Sequence, residues 1–263
     1  MKILAIVGTP TKHDGYTTKT VEVLEQRFLK QRDAEFSYLF LEDHNLPGCQ
    51  GRLSCIKFGE HKCPFEPKVT PIVRAMENAD VVIFASPVHC FNVSTLMKNF
   101  IDLLVYQMHR PAFFGKKALI VATAAGAGQK GILKYLHKTV ANWGFDVVGQ
   151  LGTHSGFFDK EKYFNKLTKA ADKLATKTIT AVDKDVTPKP GLAELINFRV
   201  WRSTVAINEQ NSPYDWEHWK KSGWLDQDYY FETKGNFISK SIAFLIEKLI
   251  AQAIRNVSVG PST

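Results

Sequence analysis

The chain has 263 residues, of which 44% are apolar, so it can build an ordinary globular core. No apolar stretch reaches the roughly 18 residues of a membrane-spanning helix, and four cysteines are too few for a disulfide-dense scaffold. The formal net charge of +8 attracts anions, but no long basic run or nucleic-acid motif accompanies it. Because the N-terminal segment predicts a strand rather than a signal peptide, we expect a cytoplasmic protein with no nucleic-acid partner.

Strand-like apolar runs alternate with helical patterns through about residue 182. The runs that predict strands are 2–7, 36–41, 81–85, 118–123 and 146–151. The segments that predict helices are 17–30, 69–78, a helix capped by Ser94, 132–142 and 160–182. This alternation predicts βαβ units and a doubly wound, five-stranded parallel sheet, with a long loop at 43–67.

The composition changes after residue 183, where a Pro-Lys-Pro-Gly break is followed by many aromatic residues. We predict a helix over 192–207, an irregular aromatic segment over 208–236 and a final amphipathic helix over 238–255, with Ile242, Leu245, Leu249 and Ala253 on its core-facing side. The chain is therefore divided into a sheet domain, 1–183, and a helical, aromatic-rich extension, 184–263. The extension either packs as core for its own helices or serves as a lid or an oligomer arm.

The loop after the first predicted strand carries groups that suit a phosphate. Between Gly8 and Thr18 it contains several threonine hydroxyls, one lysine and the start of a helix, whose N-terminus attracts anions. It lacks both the G-x-G-x-x-G fingerprint and the Gly-Lys-Ser/Thr element of a Walker loop, so a monophosphate suits it better than a dinucleotide. The alternative is a polar turn with a helix cap.

Two further loops follow the third and fourth predicted strands. In the loop 86–94, Pro87 fixes the backbone, and main-chain amides together with Asn92 match the polar edge of a flavin ring. In the loop 123–128, small residues permit close approach of a ring. Because such loops meet at the switch point of an open α/β sheet, the three together predict a flavin mononucleotide (FMN) site.

These segments, together with 98–102, resemble the NADPH-dependent FMN reductase family of flavodoxin-like proteins, and most closely its iron–sulfur flavoprotein branch. The resemblance covers roughly residues 1–180 and implies a flavodoxin-like fold and a homodimer or homotetramer. It implies phosphate contacts from Thr9, Thr11, Lys12, Tyr16, Thr17 and Thr18. It implies contacts to the flavin ring from Pro87, Val88, His89, Cys90, Phe91 and Asn92, with Thr123, Ala124, Ala125 and Gly126 on the other edge.

The iron–sulfur branch has four cluster cysteines, whereas this chain has Cys49, Cys55 and Cys63, with Arg52 in the place of the second motif cysteine. A [4Fe–4S] cluster normally takes four thiolates, and adding His61 gives a spacing unlike the usual zinc pairs. We therefore expect no bound metal and a loop that packs over the flavin edge or a subunit interface. A disulfide among these cysteines requires an oxidising compartment.

The resemblance implies an FMN-dependent NAD(P)H oxidoreductase that passes electrons to a quinone, a flavin or another acceptor. Hydride transfer between stacked rings needs no side-chain acid, base or nucleophile, so we predict no catalytic residue. Two alternatives stay open: an electron-transfer flavoprotein reduced by a protein partner, and a non-catalytic flavin-binding module.

Overall fold

The computed structural model describes residues 1–158, 160–184, 189–232 and 241–247. The chain divides into two compact units. The first unit comprises Met1–Gly51 and Pro64–Thr187, and the second comprises Arg52–Cys63 and Pro188–Thr263. Within the described ranges, no helix combines the length and the apolar character needed to cross a membrane.

The first unit is built on one sheet. Its strands are β1 (Lys2–Val7), β2 (Glu35–Phe40), β3 (Val81–His89), β4 (Asn92–Val93), β5 (Lys117–Ala124) and β6 (Asp146–His154). The order is β2-β1-β3-β5-β6, with every pair parallel, while the short β4 pairs antiparallel with the end of β3. The doubly wound parallel sheet is confirmed, but it has six strands rather than five because the chain turns back on itself directly after β3.

Eight helices have bounds within the described residues. They are α1 (Tyr16–Gln31), α2 (Ser54–Lys57), α3 (Glu66–Asn78), α4 (Thr95–Leu103), α5 (Gln129–Asn142), α6 (Glu161–Asp183), α7 (Leu192–Ile207) and α8 (Pro213–Lys221). Helices α1 and α6 contribute to one hydrophobic cluster, and α3, α4 and α5 contribute to another, so helices cover both faces of the sheet. The central strands are apolar without alternation because both of their faces are buried.

Three predicted segments differ from the structure. The segment 43–67 is not one long loop, since it contains α2 and the start of α3, whose first turn tolerates Pro67. The segment 208–236 contains α8 and so is not wholly irregular. Of the predicted final helix 238–255, only residues 241–247 lie within the described residues. They are helical, but Ile242 and Leu245 are exposed, and Ala243 and Glu247 are the buried positions.

Aromatic side chains form the interior of the second unit. The ring of Phe198 on α7 stacks on that of Trp219 on α8, with centroids 5.6 Å apart. Trp224 and Tyr230 pack edge-on against Trp219, and the Trp224 indole N–H donates to the Tyr230 carbonyl at 3.1 Å. The aromatic segment therefore packs on itself, which satisfies the polar atom of a buried tryptophan.

A charged cluster completes this interior. Arg199 is 4% exposed and donates to Glu247 at 2.8 Å and to Asp228 at 2.6 Å. Arg202 donates to both carboxylate oxygens of Glu247, at 2.6 and 2.7 Å. Glu247 turns inward, contrary to the apolar face predicted for this helix, because two guanidinium groups are there to pair with it.

Candidate functional site

Three loops of the first unit lie at the carboxyl edge of the parallel sheet. They follow β1, β3 and β5, which are neighbours in the sheet. The chain leaves β1 to form β2 on one side and returns to form β3 on the other, so the strand order reverses between β1 and β3. Ligands bind at this kind of switch point in open α/β sheets.

Ser94 holds the first loop against the second. Its side-chain hydroxyl donates to the carbonyl of Gly8 and accepts from the amide of Met97 at 3.2 Å, which confirms it as the N-cap of α4. Its own amide donates to the Ser86 hydroxyl at 3.0 Å. One serine thus links the start of α4 to a residue within β3 and to the residue that follows β1.

A buried pair of hydroxyls holds the first loop against the third. The side-chain oxygens of Thr17 and Thr123 lie 2.6 Å apart, and both residues are almost fully buried. One turn further along α1, Thr20 lies 3.2 Å from Thr153 at the end of β6. These contacts set the position of α1 across the strand ends, and with it the position of the loop that precedes the helix.

The first loop forms a small cradle of hydroxyls in front of α1. The side-chain oxygens of Thr9 and Thr11 lie 3.0 Å apart, and a Cβ added to Gly15 would collide with Thr11. Within the described residues no side chain caps α1, and its first turn contains no acidic residue. The first backbone N–H groups of a helix lack intrahelical partners, so this arrangement suits an anion.

The other candidates for phosphate contact have different surroundings. Lys12 has a left-handed backbone (φ 43°) and pairs with Asp43 on the surface. The Thr18 hydroxyl donates to the Lys12 carbonyl, so it shapes the loop from inside. Tyr16 is partly exposed, and its ring centroid lies 5.5 Å from that of Phe158.

The second loop is a tight hairpin between β3 and β4. Its two turn residues, Cys90 and Phe91, have φ of 49° and 60°. Two left-handed residues in succession give a turn whose twist matches that of the strands, although Asn-Gly is the usual sequence there. No such signal is present, so sequence reasoning predicted a loop and missed the hairpin. Within the loop, Pro87 and Val88 are half-buried, and the remaining candidates His89, Cys90, Phe91 and Asn92 are exposed.

The third loop packs against this hairpin. Thr123 and Ala124 are buried at the end of β5, and Ala125 and Gly126 are exposed beyond it. Gly128 has φ of +109°, and a Cβ there would lie only 2.8 Å from Val88 Cγ1. The close approach of the two loops therefore needs glycine at this position.

The first unit holds Cys49 and Cys90, and the second holds Cys55 and Cys63. The Cys49 amide donates to the Asn99 side chain at 3.1 Å. Among the residues that the structure describes, no group of three His, Cys, Asp or Glu side chains is placed to hold a metal ion.

The model of the family described as NADPH-dependent FMN reductase matches residues 1–157, which is more than half of the chain. The chain belongs to the NADPH-dependent FMN reductase family. An iron–sulfur flavoprotein of Archaeoglobus fulgidus is 26% identical over 226 residues, covering 86% of this chain and all of that protein. The resemblance found in the sequence is thereby confirmed.

Solved structures show the same fold. An FMN-dependent NADH-azoreductase from Bacillus anthracis, in complex with FMN, is 15% identical with a TM-score of 0.50, covering 67% of this chain and 99% of its own. RosB with a bound flavin-derived intermediate is 13% identical with a TM-score of 0.55, covering 90% and 92% of the two chains. Both likenesses establish a flavodoxin-like fold for this reductase.

Membership of the family makes the protein an FMN flavoprotein and an oxidoreductase. The geometry of the three loops fits the cofactor. The two hydroxyls of the cradle lie beside the first turn of α1, which no side chain caps within the described residues, and this arrangement suits a phosphate. The small residues Ala125 and Gly126 of the third loop and the hairpin residues from His89 to Asn92 are exposed, so a flat ring can reach them.

Proposed function

We propose that this reductase oxidises NAD(P)H and passes the electrons to a quinone, a free flavin or another acceptor. When the acceptor is a quinone, the reaction converts NAD(P)H, one proton and the quinone into NAD(P)⁺ and the hydroquinone. The observation that carries the proposal is the convergence of three loops at one switch point, fixed to one another by Ser94 and by the pair Thr17 and Thr123. When bound, FMN supplies the redox chemistry, as a hydride acceptor and a two-electron donor.

The cradle before α1 would hold the phosphate. Thr9 and Thr11 contribute hydroxyls, and Gly15 lets the start of the helix approach these hydroxyls closely. In this proposal Thr17 and Thr18 shape the loop, and Tyr16 borders the cofactor. Lys12 lies at the rim of the loop, where it pairs with Asp43. Backbone amides suit this task because they carry no charge that water must solvate before binding.

The hairpin and the third loop would hold the ring. Pro87 and Val88 form the half-buried inner part, with the four exposed residues from His89 to Asn92 beyond them. Thr123, Ala124, Ala125 and Gly126 would border the opposite edge. No side chain need exchange a proton with the ring for hydride transfer, so the residues orient the reactants and exclude water.

We propose in addition that residues 184–263 act as a lid or an oligomer arm and that the protein forms a homodimer or homotetramer. Size-exclusion chromatography with light scattering measures the oligomer directly. A monomer at micromolar concentration would contradict the proposed homodimer or homotetramer.

A protein electron donor is the second candidate, and one observation favours it. Four lysines form a stripe along α6, all exposed, and none has an ion-pair partner among the described residues: Lys162, Lys166, Lys169 and Lys173. Such a stripe attracts an acidic redox protein. Reduction by an acidic ferredoxin that is much faster than reduction by NAD(P)H would favour this candidate.

Glycine-to-alanine variants test the proposed site. In Gly15→Ala the new methyl group enters the cradle, so the Kd for FMN should rise at least tenfold. Gly131→Ala is the matched control, because Gly131 lies on an exposed part of α5 with nothing near its Cβ position. Flavin fluorescence quenching measures both affinities, and equal affinities would contradict the assignment of the cradle.

A further inference from the structure

An open groove runs along the lysine stripe of α6. It has a volume of about 560 Å³, and its lining residues all belong to the first turns of this helix: Glu161, Lys162, Asn165, Lys166 and Lys169. Three lysines against one glutamate give the lining a net charge of +2. Small-molecule sites have volumes of about 300–1,000 Å³, so the α6 groove is large enough for a ligand, and its charge favours an anion.

The α6 groove begins beside the proposed phosphate cradle. Tyr16, the first residue of α1, has its ring centroid 5.5 Å from that of Phe158, which precedes α6. At the other end of α1, the Gln31 side-chain amide donates to the Asp172 carboxylate at 3.0 Å. Helices α1 and α6 therefore run side by side in the same direction, and the first turn of α6 lies close to the first turn of α1.

Exposed aromatic rings stand in the first turn of α6. Tyr163 and Phe164 are 41% and 38% exposed, and in the chain they stand between the lining residues Lys162 and Asn165. Nucleotide bases stack on exposed aromatic side chains, and lysines bind phosphates as point charges. Rings and cations in the same turns of a helix therefore suit a ligand that carries both a base and a phosphate.

We propose that the α6 groove binds the adenosine end of the nicotinamide nucleotide and favours NADPH over NADH through its 2′-phosphate. This inference rests on the proposed function and adds the choice of electron donor. A phosphate monoester carries a charge of about −1.5 to −2 at neutral pH, and NADH lacks this group. Lys162, Lys166 and Lys169 supply the opposite charge, and they have no ion-pair partner within the described ranges.

An acidic redox protein would be attracted by the same lysines, but the surroundings favour a nucleotide. Carboxylates gain nothing from the exposed rings of Tyr163 and Phe164, whereas an adenine base can stack on either of them. The groove also starts next to the cradle, so a dinucleotide bound along it directs its nicotinamide end towards the cofactor loops.

Calorimetric titration of the FMN-loaded protein with 2′,5′-ADP, the adenosine end of NADPH alone, tests the proposal without a redox reaction. The wild-type protein should bind 2′,5′-ADP at least tenfold more tightly than 5′-AMP, which lacks the 2′-phosphate. The double variant Lys162→Gln, Lys166→Gln should raise the Kd for 2′,5′-ADP at least fivefold and leave that for 5′-AMP within twofold.

A second pair of lysines provides a control with the same spacing and the same loss of charge. Lys134 and Lys138 are exposed on α5, which covers the opposite face of the sheet. The double variant Lys134→Gln, Lys138→Gln should change the Kd for 2′,5′-ADP by less than twofold. Both double variants should keep the wild-type melting temperature, because all four side chains are exposed.

Steady-state kinetics separate nucleotide binding from chemistry. In the Lys162→Gln, Lys166→Gln variant the KM for NADPH should rise at least fivefold with kcat unchanged, since the lysines bind the substrate and the transition state equally. The KM for NADH should stay within twofold of the wild-type value.

Three results would overturn the proposal. They are equal losses of affinity for 2′,5′-ADP in the two double variants, equal wild-type affinities for 2′,5′-ADP and 5′-AMP, or a Lys162→Gln, Lys166→Gln variant slowed only with an acidic ferredoxin. If both nucleotides bleach the flavin equally well in every variant, the proposed function stands and this inference fails. If 2′,5′-ADP binds as expected but neither nucleotide bleaches the flavin, the proposed function fails and the nucleotide site on α6 stands.

Discussion

The interior of the first unit consists mainly of two apolar clusters, one on each face of the sheet. The interior of the second unit is aromatic and charged. The central strands β1, β3 and β5 are covered on both faces, so the loops at their ends rest on a rigid base. In the second unit, stability depends on a few large groups, chiefly Trp219 and the arginines around Glu247. Because the sheet of the first unit is rigid, a loop at its edge can contain a residue with a left-handed backbone such as Phe91.

Removing the charge of Glu247 is expected to have the largest effect. Burial works to raise the pKa of this carboxyl group, but hydrogen bonds from Arg202 and Arg199 outweigh it and lower the pKa. In Glu247→Gln the buried guanidinium of Arg199 loses a charged partner, so the free energy of unfolding of the second unit should fall by about 3 kcal/mol. Four of the five tryptophans belong to this unit, so tryptophan fluorescence during urea unfolding measures the change.

An exposed ion pair on α8 provides the control for that prediction. Glu217 lies 3.6 Å from Lys221, and both side chains are mostly exposed. Glu217→Gln should change the same free energy by less than about 1 kcal/mol. Equal effects of the two substitutions would contradict the view that buried charges stabilise the second unit.

The first unit contains a half-buried histidine that makes its stability depend on pH. Burial, and then the charge of Arg110, lower the pKa of His109 from 6.5 to about 4. In the unfolded chain the His109 side chain binds a proton near pH 6.5, but in the folded protein it does so only near pH 4. The free energy of unfolding therefore has its full value above pH 6.5 and decreases as the pH falls towards 4. The loss should reach about 2 kcal/mol.

Thermal unfolding between pH 7 and pH 4 measures this loss. The His109→Gln variant should lose much less stability between pH 7 and pH 4 than the wild-type protein. The His137→Gln variant, altered at an exposed site on α5, should lose as much as the wild-type protein. An unchanged pH profile in His109→Gln would show that the decrease comes from other groups.

The hydroxyl pair between the first and third loops should have a smaller effect. Thr123→Val leaves the buried hydroxyl of Thr17 without its partner, so the free energy of unfolding should fall by about 1–2 kcal/mol. The double variant with Thr17→Val removes both polar groups and should recover most of the loss. Urea titration of the three proteins measures the coupling, and additive losses in the double variant would contradict it.

The sheet could be predicted from the sequence because its strands are continuous apolar runs separated by helical patterns. Strand ends were predicted less well: β3 extends to His89, because its last residues pair with β4 in a turn for which Cys90 and Phe91 give no sequence signal. Periodicity also gives no sign that residues 52–63 group with the second unit, because that grouping depends on contacts distant in the chain.

The candidate site was predicted by its residue types and by its position after three strands. The sequence could not distinguish hydroxyls that line the cradle, such as Thr9, from those engaged inside the protein, such as Thr18. That distinction depends on which carbonyl or hydroxyl lies within hydrogen-bond distance after folding. Neither could periodicity predict the inward position of Glu247, because the arginines that pair with it lie more than forty residues away.

Anaerobic reduction of the bound flavin tests whether the protein oxidises a nicotinamide nucleotide. The protein is loaded with FMN, freed of oxygen and mixed with NADPH and, separately, with NADH, while the visible absorption of the flavin is recorded. At least one of the two nucleotides should bleach the flavin band, and a quinone should then restore it. A protein that binds FMN but keeps its flavin oxidised with both nucleotides would contradict the proposed activity.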